Sequence, residues 1–228
     1  HNVFKDKVFT IIAHDLRAPV ANLKNIFNLL DDELISDEEF IYLKKSLNDQ
    51  VSSLSLLLDN LLLWARNQME SGFVTNKTAV SVNKLIERNK LLFTEIANKK
   101  EVTIESKIED DITLNADADQ LDLIVRNLIS NAIKFTHQNG IVSISASQTK
   151  ESVIFKIKDN GIGMNQETIE SIYNNQVVSK QGTGGEKGTG LGINLTSEFI
   201  ESNNGIFTIK SEPEIGTEIT IEFKKTNV

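Results

Sequence analysis

The chain has 228 residues, a net charge of −8 and no cysteine. This length predicts one large domain or two smaller ones, with enough apolar residues for a core. The absence of cysteine excludes disulfides, thiol catalysis and cysteine-ligated metals, and three histidines argue against a histidine-bound zinc. The negative charge has the wrong sign for broad binding to nucleic acid or anionic membranes. No apolar run approaches the ~20 residues of a membrane span, so we expect no direct membrane contact. The chain opens with His1 rather than Met and shows no signal peptide, so we expect an excised fragment.

The first third of the chain has the pattern of two long helices. The stretch Val3–Met69 lacks glycine and is interrupted only by Pro19 and a polar interval at Asp31–Asp37. Apolar residues recur at alternating spacings of four and three, first at Leu16, Val20, Leu23, Phe27 and Leu30 and then at Leu47, Val51, Leu54, Leu58, Leu61 and Ala65. This pattern predicts an all-α helical hairpin over residues 1–70. A homodimer would bury its surplus leucines in a four-helix bundle.

The remainder alternates between helical and strand patterns. Residues 71–79 are predicted to form a linker, and residues 80–228 a second domain. Helical spacing marks Val82–Ala97, Asp119–Thr136 and about Gly190–Ser202. Strand alternation marks Val102–Ile108 and short runs near residues 142–146, 153–157, 206–209 and 219–223. These elements predict an α+β sandwich, with one mixed sheet covered on one face by helices.

Glycines are concentrated in one part of the second domain. Eight of the twelve lie between Gly161 and Gly192, and the last of them lead into a helix. Glycine lets a backbone approach a ligand closely, and a helix N-terminus favours anions, so this stretch is a candidate phosphate cradle. It is not a P-loop, because Lys187 precedes Gly188 and the glycines after it, and no single strand runs into it as a Rossmann fingerprint requires. The alternative is a flexible surface loop.

The predicted helix at 119–136 carries a polar border beside its apolar stripe. At ~100° per residue, Asn127, Asn131 and Lys134 fall along this border, away from Asp122 and Arg126, which we expect to be the most solvated. Amide oxygens suit Mg²⁺ and lysine suits phosphate. The alternative is a structural hydrogen-bond network.

One histidine in the helical region stands out. His14 falls roughly 160° from the apolar seam of its predicted helix and should face solvent. Asp15 is adjacent and can hold the tautomer of the ring, and Pro19 weakens the helix nearby. We expect a reactive histidine here, the alternative being an ordinary solvated one.

Four segments together resemble the motifs of one family. His14–Pro19 resembles an H box, Asn127–Phe135 an N box, Asp159–Gly163 a G1 box and Gly188–Gly192 a G2 box. In this order and spacing, the sequence resembles the catalytic core of a bacterial two-component sensor histidine kinase over essentially its whole length. The resemblance implies a dimerisation and histidine-phosphotransfer domain followed by an ATP-binding domain of the Bergerat (GHKL) fold.

The resemblance also implies catalytic roles. His14 would be the phosphorylation site and the nucleophile that attacks the γ-phosphate of ATP, with Asp15 as general base or orienting group. Asn131, supported by Asn127, would bind the magnesium ion that bridges the phosphates, and Lys134 would neutralise phosphate charge.

The remaining ATP-binding residues are implied in the same way. Asp159 would accept a hydrogen bond from the adenine amino group, while Gly161 and Gly163 would let the base pass the backbone. Residues 165–187 would form a lid. The G2 box would meet the phosphates through Gly188, Thr189, Gly190, Leu191 and Gly192. Phe135, at the end of the N box, and Thr217, at a superfamily position near adenine, complete the set.

The sequence departs from the family pattern at two places. Ala18 replaces the hydroxyl or amide residue that positions water for dephosphorylating the partner, which predicts weak phosphatase activity. The aromatic F box is degenerate in Ile172-Tyr173-Asn174-Asn175. The implied partners are a second copy of the chain and the receiver domain of a cognate response regulator, with a cytoplasmic location in a bacterium. A nucleotide-binding scaffold without autokinase activity and a clamp-type ATPase are the alternative functions.

Overall fold

The chain divides into two compact units, His1–Met69 and Glu70–Val228. The computed structural model describes residues 20–21, 23–29, 36, 38–44, 46–47, 51, 54, 58, 75–109, 111–174, 176, 180–186 and 192–225. In the first unit these residues are helical except for Ser36, which caps the helix that follows. The Ser36 hydroxyl accepts from the backbone N–H of Glu39 at 3.3 Å, and the Glu39 carboxylate accepts from the backbone N–H of Ser36 at 3.1 Å. This reciprocal pair is a capping box, and it lies at the end of the polar interval expected between the two helices.

The second unit contains a mixed sheet and four helices among its described residues. Its elements are β1 (Lys77–Ser81), α1 (Val82–Lys99), β2 (Thr103–Ile108), β3 (Thr113–Asp117), α2 (Ala118–Phe135), β4 (Ile141–Gln148), β5 (Ser152–Asp159), α3 (Gln166–Tyr173), α4 (Gly192–Ser202), β6 (Gly205–Glu212) and β7 (Gly216–Lys224). Five strands form one sheet in the order β2-β4-β5-β7-β6, and β1 pairs with β3 separately. The β2–β4 pair is parallel and the other pairs are antiparallel. The predicted α+β fold with a mixed sheet is confirmed.

The core lies between the sheet and the helices that contact it. Along β5, Val153, Phe155 and Ile157 are buried, whereas Lys156 and Lys158 are exposed, because successive side chains of a strand point to opposite faces. The Phe155 ring meets Phe223 of β7 edge-on, with centroids 5.8 Å apart. Helices α1, α2 and α4 contact β2, β5 and β6 respectively. The apolar stripe of α2 is buried at Leu121, Ile124, Val125, Leu128 and Ile129.

Three elements, the strands β1 and β3 and the helix α3, were not predicted from the sequence. Strand β1 takes in the last three residues of the expected linker, and it pairs with β3 from Lys77 opposite Asp117 to Ser81 opposite Thr113. Each strand is defined by a partner distant in sequence, which a local pattern does not reveal.

Helix α3 occupies the first part of the expected lid. It begins at Asn165, whose Oδ1 accepts from the Thr168 backbone N–H at 3.0 Å.

The side of α2 expected to face solvent is instead covered by α1. The Asp122 carboxylate accepts from Arg88 at 2.6 Å, from the Asn89 amide at 2.7 Å and from Arg126 at 2.9 Å. Its side chain is only 16% exposed. The prediction of a solvated Asp122–Arg126 face was therefore wrong, because charged residues that pair with a neighbouring helix have the same helical spacing as solvated ones.

Candidate nucleotide site

A row of polar side chains crosses the sheet where its apolar face ends. Asp159 of β5 lies opposite Thr217 of β7, which in turn lies opposite Ser211 of β6. Directly opposed residues of antiparallel strands project to the same face, so the three side chains share the helix-covered face. The next row on that face consists of Ile157, Ile219 and Ile209. The polar row therefore lies at the edge of the apolar core.

The Asp159 carboxylate is buried and held from one side. The residue is 7% exposed. Its Oδ1 accepts from the backbone N–H of Gly161 at 3.0 Å and of Thr217 at 3.2 Å. Burial raises the pKa of Asp159, and these two hydrogen bonds oppose the rise. Among the described residues no donor bonds Oδ2, which leaves that oxygen to accept from a ligand.

The structure gives Gly161 and Gly163 a packing role. A Cβ on Gly161 would collide with the carbonyl oxygen of Phe135, and one on Gly163 would collide with the carbonyl oxygen of Glu212. Gly163 also has a φ of +60°, which L side chains rarely adopt. The backbone of the predicted G1 box is thus pressed against the end of α2 and against β6, which fixes its position beside Asp159.

The hydroxyls of Ser211 and Thr217 connect the polar row to its surroundings. Ser211 Oγ accepts from the backbone N–H of Met164 at 2.8 Å and donates to the carbonyl oxygen of Gly216 at 2.9 Å. It also lies 2.8 Å from Thr217 Oγ1. Thr217, predicted from sequence as a site residue, therefore lies beside Asp159. Ser211 was missed, because one serine in a strand gives no local pattern.

Helix α2 brings two predicted amides to one side. Asp117 is the N-cap of the helix, and its Oδ1 accepts from the backbone N–H groups of Asp119 and Gln120 in the first turn. Asn127 is 5% exposed, and its Nδ2 donates to Thr196 of α4 at 3.5 Å. Asn131, one turn later, is half-buried, and no other described residue bonds its amide. The two asparagines therefore differ, since Asn127 is tied into the fold while Asn131 is available to a ligand.

Lys134 and Phe135 lie at the C-terminal end of α2. Lys134 Nζ donates to the Lys180 carbonyl at 3.2 Å and lies 4.9 Å from the centroid of the Phe135 ring. Burial lowers the pKa of Lys134, the charge of Glu186 raises it and that of Lys100 lowers it further. The Phe135 carbonyl accepts from the N–H of Ile162 at 3.1 Å. This end of the helix thus combines a partly desolvated ammonium with a connection to the G1 box.

Residues 180–186 are hydrogen-bonded to the same C-terminal end of α2. Thr183 donates its N–H to the Lys134 carbonyl at 3.1 Å and its hydroxyl to the Thr136 carbonyl at 2.6 Å. Lys100 Nζ donates to the Lys134 carbonyl at 2.6 Å and to Glu186 Oε1 at 2.8 Å. Burial raises the pKa of Glu186, but the hydrogen bond and charge of Lys100, together with hydrogen bonds from the backbone N–H groups of Glu186 and Gly184, bring the pKa below its usual value. Lys100 was missed from sequence because it follows a helix that no motif marks.

Part of the predicted site lies outside the described residues. This applies to His14 and Asp15, to Ala18 and to the G2 residues Gly188, Thr189, Gly190 and Leu191. Gly192 is described and begins α4, where a Cβ would lie 3.6 Å from Asn127 Oδ1. The start of α4 therefore lies next to the N box.

The arrangement fits a magnesium ion carried by phosphates. Among the described residues no three His, Asp or Glu side chains group as a metal site. The Asn131 side-chain amide, which no other described residue bonds, offers an oxygen ligand about one turn before Lys134 on α2. Mg²⁺ commonly binds through one or two protein oxygens together with substrate phosphates and water. Asn131, with Asn127 Oδ1 beside α4, would hold the ion.

Residues 116–227 match the family described as histidine kinase-, DNA gyrase B- and HSP90-like ATPase. The matched range contains α2 with its amides, the Asp159 row and the strands β4, β5, β6 and β7.

The chain is also similar to individual histidine kinases. It is 31% identical to sporulation kinase A of Bacillus subtilis over 94% of its own length and 34% of that protein. It superposes on histidine kinase AdeS of Acinetobacter baumannii with a TM-score of 0.70 and 22% identity, covering 94% and 98% of the two chains. The histidine kinase ThkA, solved in complex with the response regulator protein TrrA, gives a TM-score of 0.68 at 21% identity, covering 96% of this chain and 61% of that one.

The chain thus spans about a third of the length of sporulation kinase A. The family match and the named relatives agree, since both descriptions include histidine kinases. In the part of the chain that the structure describes, no helix is both long and apolar enough to cross a membrane.

Proposed function

We propose that the chain is the catalytic core of a histidine autokinase. It transfers the γ-phosphate of ATP to His14 and then to an aspartate of a response regulator. The observation that carries the proposal is the buried Asp159 carboxylate, whose Oδ2 no donor among the described residues bonds. It lies in a stretch that matches an ATPase family and whose α2 also presents Asn131 and Lys134. A carboxylate suits the amino group of adenine, and an amide and an ammonium suit magnesium phosphates.

Binding positions the nucleotide through groups at two ends of the site. Asp159 and Thr217 accept hydrogen bonds at the base. Asn131 and Asn127 would hold Mg²⁺, which would supply positive charge to the phosphates. Lys134 adds a positive charge, and the G2 box supplies backbone N–H groups at the start of α4. Positioning and charge neutralisation supply most of the catalysis in phosphoryl transfer.

The chemical step forms one N–P bond and breaks one P–O bond. The neutral Nε2 of His14 attacks the γ-phosphorus in line, and the bond to the β,γ-bridging oxygen breaks as ADP leaves. Asp15 holds the Nδ1–H proton and stabilises the positive charge that develops on the ring. In the second transfer a carboxylate oxygen of the regulator attacks phosphorus, and the N–P bond breaks. The roles of His14 and Asp15 rest on the sequence alone.

The partners follow from the same proposal. Two copies of the 1–70 hairpin form a four-helix bundle that presents His14, and the regulator contributes its receiver domain. The structural similarity to a histidine kinase solved with a response regulator supports this partner class. The chain works in the bacterial cytoplasm, as the cytoplasmic part of a larger sensor.

Ala18 makes the phosphatase activity of this kinase weak, because a methyl group cannot orient the attacking water. The rate of regulator dephosphorylation should rise in Ala18→Thr relative to the wild type. A fast wild-type rate that the substitution leaves unchanged would contradict this.

The autokinase is tested with γ-labelled ATP and Mg²⁺, using the wild type beside His14→Gln and Asn131→Ala. We expect label that survives alkali, is lost in acid and is absent from both variants. Label retained by His14→Gln would contradict the assignment of the phosphate acceptor.

Two other outcomes identify the alternatives. ATP binding without any label, also when the upstream segment is restored, would indicate a nucleotide-binding scaffold. Continuous ADP release with no stable label would indicate a clamp-type ATPase.

A further inference from the structure

Ser211 contacts three polar groups of the site at hydrogen-bond distance. Its Oγ lies 2.8 Å from the Met164 backbone nitrogen, 2.9 Å from the Gly216 carbonyl oxygen and 2.8 Å from Thr217 Oγ1. Ser211 is half-buried at the end of β6, and Met164 belongs to the loop that follows Asp159. This one hydroxyl therefore joins the loop, the hairpin between β6 and β7, and the threonine next to Asp159.

The hydrogens at these contacts can be assigned by counting. The Met164 N–H can only donate, and the Gly216 carbonyl can only accept. A serine hydroxyl has one hydrogen, and the bond to Gly216 uses it. The contact with Thr217 is then a hydrogen bond only if Thr217 donates to Ser211. This is the one assignment that makes all three contacts hydrogen bonds.

The consequence is that the wall of the site formed by Asp159 and Thr217 offers a ligand hydrogen-bond acceptors and no donors. After donating to Ser211, Thr217 Oγ1 has lone pairs but no hydrogen left for a ligand. The neighbouring Asp159 carboxylate also presents lone pairs, because its Oδ1 is occupied by two backbone N–H groups and its Oδ2 has no donor among the described residues. Both groups lie in one row on one face of the sheet.

We infer that Ser211 is a specificity-determining positioning residue that selects nucleotides with an amino group at position 6 of the purine. It acts by directing the Thr217 hydrogen away from the ligand, so that the amino group of ATP meets acceptors. A 6-oxo purine would place its carbonyl oxygen against these same acceptors and be rejected. This inference rests on the proposed ATP binding and adds to it the origin of base selectivity.

Replacing the serine should release the threonine. In Ser211→Ala, Thr217 has no acceptor at the alanine and can turn its hydrogen toward the 6-oxo group. A site that leaves a buried polar group unpaired discriminates strongly, and one reoriented hydroxyl is a single such interaction. We expect the preference for ATP over ITP to narrow by about tenfold, mostly through tighter ITP binding.

The test measures the dissociation constants of ATP and ITP, each with Mg²⁺, for the whole chain by titration calorimetry. Their ratio is the readout, because partial unfolding weakens both nucleotides equally and leaves the ratio unchanged. Ser211→Thr retains the acceptor and should keep the wild-type ratio. Thr217→Val removes the hydroxyl from the wall and should also narrow the ratio, which provides a second variant if Ser211→Ala does not fold.

The outcomes separate this inference from the proposed function. A narrowed ratio in Ser211→Ala or Thr217→Val, with the wild-type ratio kept by Ser211→Thr, supports the inference. An unchanged ratio in the two disrupted variants overturns it while ATP binding stands. If the wild type binds neither nucleotide, the proposed function fails, and the inference fails with it.

Discussion

The two ends of the candidate site differ in how many of their polar groups are already bonded. At the base end, Asp159 Oδ1 accepts two backbone hydrogen bonds, and the hydroxyls of Thr217 and Ser211 bond each other. At the phosphate end, the Asn131 side-chain amide bonds no other described residue, and Lys134 Nζ donates to the carbonyl of Lys180 at 3.2 Å.

This difference indicates which end of the site is already ordered before the nucleotide binds. Groups fixed by the backbone lose little freedom when a ligand arrives, so the base end can recognise a nucleotide at small entropic cost. The phosphate end has groups that a ligand must complete, and an ammonium that burial has partly desolvated. We therefore expect substitutions at the base end to reduce ATP affinity. Substitutions at the phosphate end should instead reduce the gain in affinity that Mg²⁺ gives and the transfer of the phosphoryl group.

The largest effect is expected for Asp159→Asn. The two backbone N–H groups would hold the amide oxygen, which turns the amide NH₂ toward the amino group of the base. Two donors then face each other, and we expect ATP affinity to fall by about 100-fold or more. Calorimetric titration with ATP measures this. Near-normal affinity would show that the base lies elsewhere.

Stability is the control for this substitution. Because burial raises the pKa of Asp159, ionisation opposes folding, and the carboxyl contributes less stability as the pH rises through its pKa. The asparagine variant should therefore melt no lower than the wild type at neutral pH. A large loss of melting temperature would mean that the affinity loss reflects unfolding.

A matched pair of asparagine substitutions tests the phosphate end. Asn131→Ala should abolish labelling from ATP and remove most of the increase in affinity that Mg²⁺ gives, while leaving the melting temperature unchanged. Asn127→Ala should cost about 1–3 kcal/mol of stability, because it removes a buried amide that bonds Thr196. Equal melting losses in both variants would contradict the difference between the two amides.

The sequence predicted this contrast only in part. Asn127, Asn131 and Lys134 follow a helical repeat, so their common side of α2 could be inferred from spacing. That Asn127 is tied to Thr196 depends on how α4 packs, which no spacing contains. For the same reason Asp122 was expected in solvent but is paired with Arg88 of another helix.

Strand alternation gave the sheet but not the register of its strands. The placement of Thr217 beside Asp159 and of Ser211 beside Thr217 depends on which residues pair across β5, β7 and β6. The glycines show the same limit. Their clustering predicted a close backbone approach, whereas the structure shows that Gly161 approaches the end of α2.

A smaller effect is expected from pH. Protonation removes the acceptor at Asp159, and its pKa lies above the ordinary value of 3.8 because of burial. ATP affinity should therefore fall as the pH is lowered toward this raised pKa, before ordinary surface aspartates titrate. The measurement is ATP affinity from neutral pH down to the onset of acid unfolding. Asp159→Asn, which has no proton to gain there, should show a flatter profile, and parallel profiles would contradict the role of Asp159.

The smallest effect concerns the hydrogen bonds that hold residues 180–186 against α2 at the phosphate end. Lys100→Met removes an ammonium that donates to the Ile133 and Lys134 carbonyls and to Glu186. We expect about 1–2 kcal/mol of lost stability, since carbonyls at a helix C-terminus lose a charged donor. Glu186→Gln leaves those carbonyls bonded and should cost less, because the Glu186 side chain is 41% exposed and exposed ion pairs contribute little.

Hydrogen exchange distinguishes the two variants. Both should speed exchange at the Gly182 and Thr183 amides, which bond within this segment and to α2. Only Lys100→Met should also speed exchange in the last turn of α2, because only there does the helix end lose its cation. Exchange at the base end, in the Gly161 and Thr217 amides bonded to Asp159, should be unchanged in both. Faster exchange there would mean that the base end and the phosphate end are coupled through Phe135 and Ile162, so that a change at one end reaches the other.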